Sequence, residues 1–305
     1  MTRVEMESTT EGGPVYDLRA LFKSVGRFAG QRALEVAPTE RVKVDVEVEM
    51  LDAASSTVSS TPLDVHAFVD GVQATLSIAH REQRPVYLYY AAAGALGRGA
   101  VAVGLREKLS LVCSDADAAW VSQLGGGIPI EQMANASPPE LERNAFRLVG
   151  LVRDTLEREL VGDLLEEGCE TLVLDGSLTG RPTDRRLVGV VKSTQRIWLS
   201  DESLLWRLEE GWRSPRFKIP AGASGSGMDR YSCYVQMTDK RHGAWNEGLI
   251  RLESFDADTL DALAARCLAE RQGSRSGDRR WDRHLASVRA TEEFLRSRRP
   301  SIFAH

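Results

Sequence analysis

Apolar and charged residues alternate through Val42-Lys43-Val44-Asp45-Val46-Glu47-Val48-Glu49, the period of a strand with one wet face. Its outward row mixes lysine with acids, as suits a sheet edge that must not pair with another chain. Upstream, Leu18, Leu21, Phe22, Val25 and Phe28 recur at helical spacing within 16–36, a pattern weakened by Gly26 and Gly30. The first ~15 residues read as a disordered chain end, and Ser/Thr-rich 55–61 as a linker.

Three short apolar runs follow, Asp64–Asp70, Gln73–His80 and Pro85–Ala93. The spacing predicts three strands, with a tight turn at Asp70-Gly71 between the first two, and hence an antiparallel meander. Ser137-Pro138-Pro139-Glu140 then has the form of a helix start: a serine cap, proline in the first turn, and glutamate three residues after the cap. Leu148, Val149, Val152, Leu156, Leu160 and Leu164 continue it, and Gly168 is placed to end it. Thr171-Leu172-Val173-Leu174-Asp175-Gly176 is almost wholly apolar, as a central strand covered on both faces would be. Returning through a helical crossover, it should lie parallel to a strand of the meander. Residues 187–192, 231–236 and 248–253 read as further strands, 222–227 as a flexible loop, and 259–271 and 281–298 as helices. The expected fold is α/β, a mixed central sheet flanked by helices. Residues 1–60 form an N-terminal extension in this reading, 61–255 the core, and 256–305 an arginine-rich helical segment packed on it.

Composition narrows the partners. The 305 residues are 42% hydrophobic and 27% charged, enough for one large domain or two small ones. No run of 18 apolar residues is present, so no membrane association is expected. The polar, acidic start lacks the apolar core of a secretory signal. Cys113, Cys169, Cys233 and Cys267 are scattered without a Cys-x-x-Cys pair, which fits reduced thiols in a cytoplasmic protein. A net charge of −5 argues at first against a nucleic-acid partner, but distribution matters more than the total. Arg271, Arg275, Arg279, Arg280, Arg283, Arg289, Arg296, Arg298 and Arg299 crowd the tail. They suit contacts to phosphate or, more plainly, a solvated Arg/Glu helix.

Two apolar strands each end in Asp-Gly, at Asp70 and at Asp175, and the topology allows them to be neighbours. Adjacent strands lie ~4.8 Å apart, within reach of a shared cation. Two ionised carboxylates that close repel unless a proton or a metal stands between them. Such oxygen ligands suit Mg²⁺ or Mn²⁺ rather than zinc, and a metal so held polarises a phosphodiester and activates water. The plain alternative is that Asp-Gly marks two ordinary turns. A third carboxylate is expected from the crossover helix. Projected at ~100° per residue, Glu159 lies nearer the apolar stripe and Glu157 at its margin, and either is also acceptable as a solvated charge.

The phrases Phe-Val-Asp70-Gly, Leu-Glu157, Leu-Val-Leu-Asp175-Gly-Ser-Leu and Val-Gly-Val-Val-Lys192-Ser, in that order and spacing, resemble the NurA nuclease family. Leu-Ile-Arg251-Leu-Glu253 resembles that family's Arg-x-Glu strand, and the likeness runs through most of the chain. The resemblance implies a ribonuclease-H-like fold and a manganese-dependent deoxyribonuclease. It also implies a homodimer that works with the hexameric translocase HerA in DNA end resection. It makes Asp70 and Asp175 metal-binding aspartates, prefers Glu157 over Glu159 as the helix glutamate, and faces Lys192 toward substrate phosphate as a point charge. The family's C-terminal motif, an acidic or histidine ligand near a proline-rich turn, is poorly matched. Asp282 and His284 in Arg-Trp-Asp-Arg-His-Leu are the nearest candidates.

The expected function is therefore metal-dependent cleavage of DNA ends or single strands. Arg251 and tail arginines such as Arg279 and Arg280 help to hold the backbone. Arg251 and Glu253 equally suit a supporting or purely structural ion pair. Two rivals remain: a non-catalytic relative that binds DNA or a motor partner, and a nuclease acting on RNA or hybrids. Gly94-x-x-Gly97-x-Gly99 and Gly125-Gly126-Gly127 lack the Lys-Ser/Thr ending of a phosphate loop. His66 and His80 read as packed or surface histidines. Ser177 lacks the Gly-x-Ser-x-Gly frame of a nucleophile elbow. Asp115 and Asp117 suit a helix N-terminus. Trp198, Trp206, Trp212 and Phe217, interleaved with Arg207, Arg213 and Arg216, suit either base stacking or the packing of an irregular insertion.

Overall fold

The computed structural model describes residues 16–25, 42–43, 48–124, 126–134, 136–192, 196–224, 227–240, 246–271 and 285–303. Its first elements are α1 (Leu18–Val25), β1 (Val42–Lys43), β2 (Glu49–Met50), β3 (Ser56–Thr57), β4 (Ala67–Arg81), β5 (Arg84–Gly97) and β6 (Ala102–Ser114). Next come α2 (Ala118–Gln123), β7 (Ile130–Met133), α3 (Pro138–Glu166), β8 (Leu172–Asp175), β9 (Leu187–Val191) and β10 (Arg196–Ile197). Then follow α4 (Ser203–Trp206), β11 (Trp212–Arg213), β12 (Phe217–Ile219), α5 (Ala221–Ser224), β13 (Arg230–Gln236) and β14 (Leu249–Ser254). α6 (Thr259–Glu270) and α7 (Ala286–Arg298) complete the helices.

A 12-stranded sheet runs in the order β2-β12-β13-β14-β9-β8-β4-β5-β6-β7, with β11 on β13 and β3 on β11. β4, β5 and β6 form an antiparallel meander. After the α3 crossover, β8 lies parallel to β4 and β9 parallel to β8. The chain is thus an α/β protein with a mixed sheet flanked by helices. While α2 and β7 stand unforeseen between the meander and the crossover, the meander, the α3 crossover and the parallel return of β8 to β4 match the sequence expectation.

The boundaries of the meander do not. No turn interrupts Asp70-Gly71; β4 is one strand of 15 residues that continues to Arg81. Asp70 and Gly71 pair with Gly94 and Ala93 in an unbroken ladder, which outweighs the turn preference of Asp-Gly. The turn expected between His80 and Pro85 is present at Glu82 and Gln83, whose φ of 48° and 66° suit a two-residue loop. The third strand is β6, in a stretch whose alternation is too irregular to announce it.

α3 begins as expected, with Ser137 and Glu140 closing a capping box, and Gly168 follows its end at φ 88°. It covers one face of the sheet, where Leu160, Val161 and Leu164 pack on Ala67, Val69, Ala93, Leu172 and Leu174. On the other face, Leu263 of α6 and Val288 of α7 pack against Phe68, Val173, Val190 and Leu252. The predicted helix over 16–36 is present as α1, its remainder lying outside the described residues. Of the alternating 42–49 stretch, β1 pairs with β10 and β2 sits on β12. All four cysteines are buried free thiols. No helix among the described residues is long and apolar enough to cross a membrane.

Candidate active site

β4 and β8 pair in parallel as Ala67 with Leu172, Phe68 with Val173 and Val69 with Leu174. The next step of that register sets Asp70 beside Asp175. Paired residues share a face, and alternation places both aspartates with Phe68 and Val173, on the side of α6 and α7. Across the ladder from Asp70 stands Gly94, where a Cβ would come 2.7 Å from Leu295 Cδ2 of α7. The bare glycine lets α7 close down beside the aspartate.

Asp70 Oδ1 accepts a hydrogen bond from the Gly71 amide at 2.7 Å. Lys192, just past β9, donates to Asp175 Oδ2 at 2.8 Å. Burial and then the Asp175 charge push the Asp70 carboxyl up to about 7, against the Gly71 amide and Lys192, with Glu157 adding to the rise. Paired acids with too little positive charge between them behave in this way.

Local sequence explains the placement of Asp175. The chain turns out of β8 at Gly176, φ 143°, whose amide donates to the Val190 carbonyl at 2.9 Å. The Gly176 carbonyl leans on β9 at Gly189, where a Cβ would lie only 2.6 Å away. Glu253 of β14 then accepts from Ser177 Oγ at 2.9 Å and from the Leu178 amide at 2.8 Å.

Glu157 reaches the centre from α3. β8 stops at Asp175, and beyond Asp70 the described strands leave that edge of β4 unpaired. A Cβ on Gly71 would fall 2.1 Å from Glu157 Oε1, so the carboxylate fills the space of the missing side chain. Arg181 donates to Glu157 Oε2, and Arg153 Nε lies 3.3 Å from Oε1. Burial raises the Glu157 carboxyl pKa, and the charges of Arg181 and Arg153 oppose the rise. Glu159, favoured by helical projection, is half exposed and 3.5 Å from Arg106, away from the aspartates. Of the expected stripe, Val149, Leu160 and Leu164 are buried and Leu148, Val152 and Leu156 partly so, while Glu157 and Val161 join the inward face.

No protein-family model matches this chain. No curated protein matches it either. What the centre does must follow from its own residues. Among the described residues, no three acids, histidines or cysteines form a group that could hold a metal ion, and Glu157 is engaged by Arg181 and Arg153. The adjacent aspartates alone suit a hard divalent ion, because Mg²⁺ is commonly held by one or two carboxylates with water and phosphate oxygens completing its shell.

The Arg251–Glu253 pair lies inside the molecule. Arg251 is 5% exposed, donates to Glu253 Oε1 at 2.6 Å and stacks over Trp198 at 5.8 Å. Burial takes it out of reach of a substrate backbone and gives it a structural role. Sequence reasoning missed Arg230, which is 1% exposed and donates to Glu253 Oε2 at 2.8 Å, Thr179 Oγ1 at 2.9 Å and Ser177 Oγ at 3.1 Å. A signal was present: one arginine heads the strand-like run Tyr-Ser-Cys-Tyr-Val. It also missed Arg181, six residues past Asp175.

Trp198 and Phe217 are core residues, while Asp52 and Asp261 hold Arg213 and Asp52 holds Arg216. The aromatic–arginine cluster is therefore mostly packing, with Trp206 and Arg207 its exposed members. Asp115 and Asp117 do precede α2, but Asp117 is buried and bound by Arg84 at 2.7 Å. On α7, Arg289 and Arg296 pair with Glu293 and Glu292, the solvated Arg/Glu helix of the plainer reading. His66 and His80 are exposed. Arg279, Arg280, Asp282 and His284 lie outside the described residues.

Proposed function

We propose that this chain is a divalent-metal-dependent deoxyribonuclease of ribonuclease-H-like, NurA-like type, acting on DNA ends or single strands. Its setting in this reading is the cytoplasm, as a homodimer working with a HerA-like hexameric ATPase. One observation carries the chemistry: Asp70 and Asp175 stand in register on adjacent parallel strands, on one face, with the Asp70 carboxyl pushed up to about 7 by burial and by its neighbour. Asp70 and Asp175 would hold Mn²⁺ or Mg²⁺, with Glu157 as the third carboxylate at the rim. The bound ion supplies polarisation of the phosphodiester and a more acidic water. Lys192 balances Asp175 and offers a cation to phosphate. The Gly176 turn and the Glu253 bonds fix the backbone beside Asp175.

The test is degradation of end-labelled single-stranded DNA in Mn²⁺, with RNA and hybrid substrates in parallel. The wild type should cut DNA, and Asp70→Asn should lose at least ~100-fold, consistent with removal of a group essential to charge stabilisation. A wild type inert on every substrate would sink the enzyme reading. It would favour a binding protein of the same fold, to which the capture of Glu157 by Arg181 and Arg153 already lends weight.

A further inference from the structure

Two of the three carboxylates have internal cations of their own. Lys192 sits on Asp175, while both oxygens of Glu157 face guanidinium groups: Oε2 that of Arg181, and Oε1 that of Arg153 at 3.3 Å. The two arginines differ in kind. Arg153 is an i,i+4 partner on the same helix, 40% exposed in its side chain and the more distant of the two at 3.3 Å. The Arg181 side chain is only 9% exposed. It reaches back from the loop after β8 to the Asp154 carbonyl at 3.1 Å and to Asp154 Oδ1 at 2.9 Å. A charge-assisted bond held in that way is short and strong. Asp175 and the cation that occupies Glu157 thus belong to one short segment of chain.

We propose that Arg181 is a resident counter-cation that competes with a divalent ion for Glu157. The proposal rests on the metal-centre reading above. An ion bound by Asp70 and Asp175 gains Glu157 only by displacing the guanidinium. Arg181 therefore sets how much metal the centre needs before it fills, and it acts through Glu157 as a positioning residue.

Direct Mn²⁺ binding, read by calorimetry and by the resonance signal of free Mn²⁺, tests this without reference to turnover. Arg181→Gln removes the charge and shortens the side chain, so that no cation is left on Glu157 Oε2. Its Mn²⁺ affinity should rise about tenfold, the equivalent of about 1.4 kcal/mol. Arg181→Lys, which keeps the charge, should bind as the wild type does. In a Glu157→Gln background, Arg181→Gln should bring no gain. Equal Mn²⁺ binding by wild type and Arg181→Gln, abolished in both by Asp70→Asn, would overturn the proposal and leave the metal centre standing. Absence of Mn²⁺ binding in every variant, with no cleavage of DNA, would overturn both.

Discussion

Glu253→Gln tests the scaffold behind the carboxylates. The Glu253 side chain is wholly buried. Its Oε2 accepts from Arg230 at 2.8 Å, Ser177 Oγ at 2.9 Å and the Leu178 amide at 2.8 Å, and its Oε1 from Arg251 at 2.6 Å. Glutamine has nearly the same shape, but its amide nitrogen cannot accept. Set at Oε2 it faces three donors; set at Oε1 it faces Arg251. In either orientation two buried guanidinium groups lose the carboxylate they share. Hydrogen bonds to charged groups contribute about 1.5–3 kcal/mol each, and removing one partner of a buried ion pair costs about 3–5 kcal/mol. The variant should therefore be less stable by about 3–5 kcal/mol. Urea unfolding with an unchanged slope would show this as a midpoint lower by more than about 1 M. Adding Arg230→Gln to it should cost less than Arg230→Gln alone, since the two share one network. A loss under about 1 kcal/mol, or strict additivity in the cycle, would refute the view that this network anchors the loop after Asp175.

Asp52 joins the segment between β2 and β3 to Arg213 at 2.7 Å and Arg216 at 3.0 Å. Burial works against its charge, but hydrogen bonds from Arg216 and the charge of Arg213 hold the carboxyl down at about 2. The folded state thus binds fewer protons than the unfolded one, whose carboxyl sits near 3.8. The contribution, at most about 2 kcal/mol, is full above pH ~4 and lost as pH falls through ~2. Denaturant midpoints of wild type and Asp52→Asn should converge by about that amount over this window; a constant gap would refute the linkage. At Gly189 an added methyl meets the Gly176 carbonyl at 2.6 Å, so Gly189→Ala should cost about 1–3 kcal/mol and lower Mn²⁺ affinity through the displaced Asp175 turn. At Gly162 in α3 nothing lies within 4 Å of the new methyl, and Gly162→Ala should instead stabilise by about 0.5–1 kcal/mol. Thermal unfolding of the two variants reads both signs, and equal shifts would contradict the steric argument.

Where local chemistry agrees with long-range packing, the sequence was informative. The Ser137 cap, the Gly168 stop and the unbroken apolar run before Asp175 each survive because the sheet asks for the same conformation. Asp70-Gly71 failed as a turn because strand pairing on the β5 side overrides a local preference, a fact invisible without knowing the partner. Helical projection alone chose Glu159 over Glu157, since an acid on an inward face lowers the apolar signal that marks that face; only the family resemblance pointed to Glu157, the residue that meets Gly71. Arg181 and Arg230 act through partners 24 and 23 residues away. Nothing in their neighbours' spacing shows such partners.

The place of the centre follows from the sheet itself. In open α/β sheets, ligands bind beyond the carboxyl ends of parallel strands, and β8 supplies such an end beside a β4 that runs on to Arg81. The step between a finished strand and a continuing one makes the notch into which Asp70, Asp175 and Glu157 project or reach. The loop that leaves this notch is tied at Ser177 and Leu178 to Glu253 of β14, and at Arg181 to Asp154 and Glu157 of α3. A change in either anchor must therefore move Asp175 relative to Asp70. The buried Arg230–Glu253–Arg251 network and the Arg181 clamp are thus two ends of one support. A variant that loosens the β14 end should be felt at the α3 end, as altered Mn²⁺ affinity, before any carboxylate of the centre has been touched.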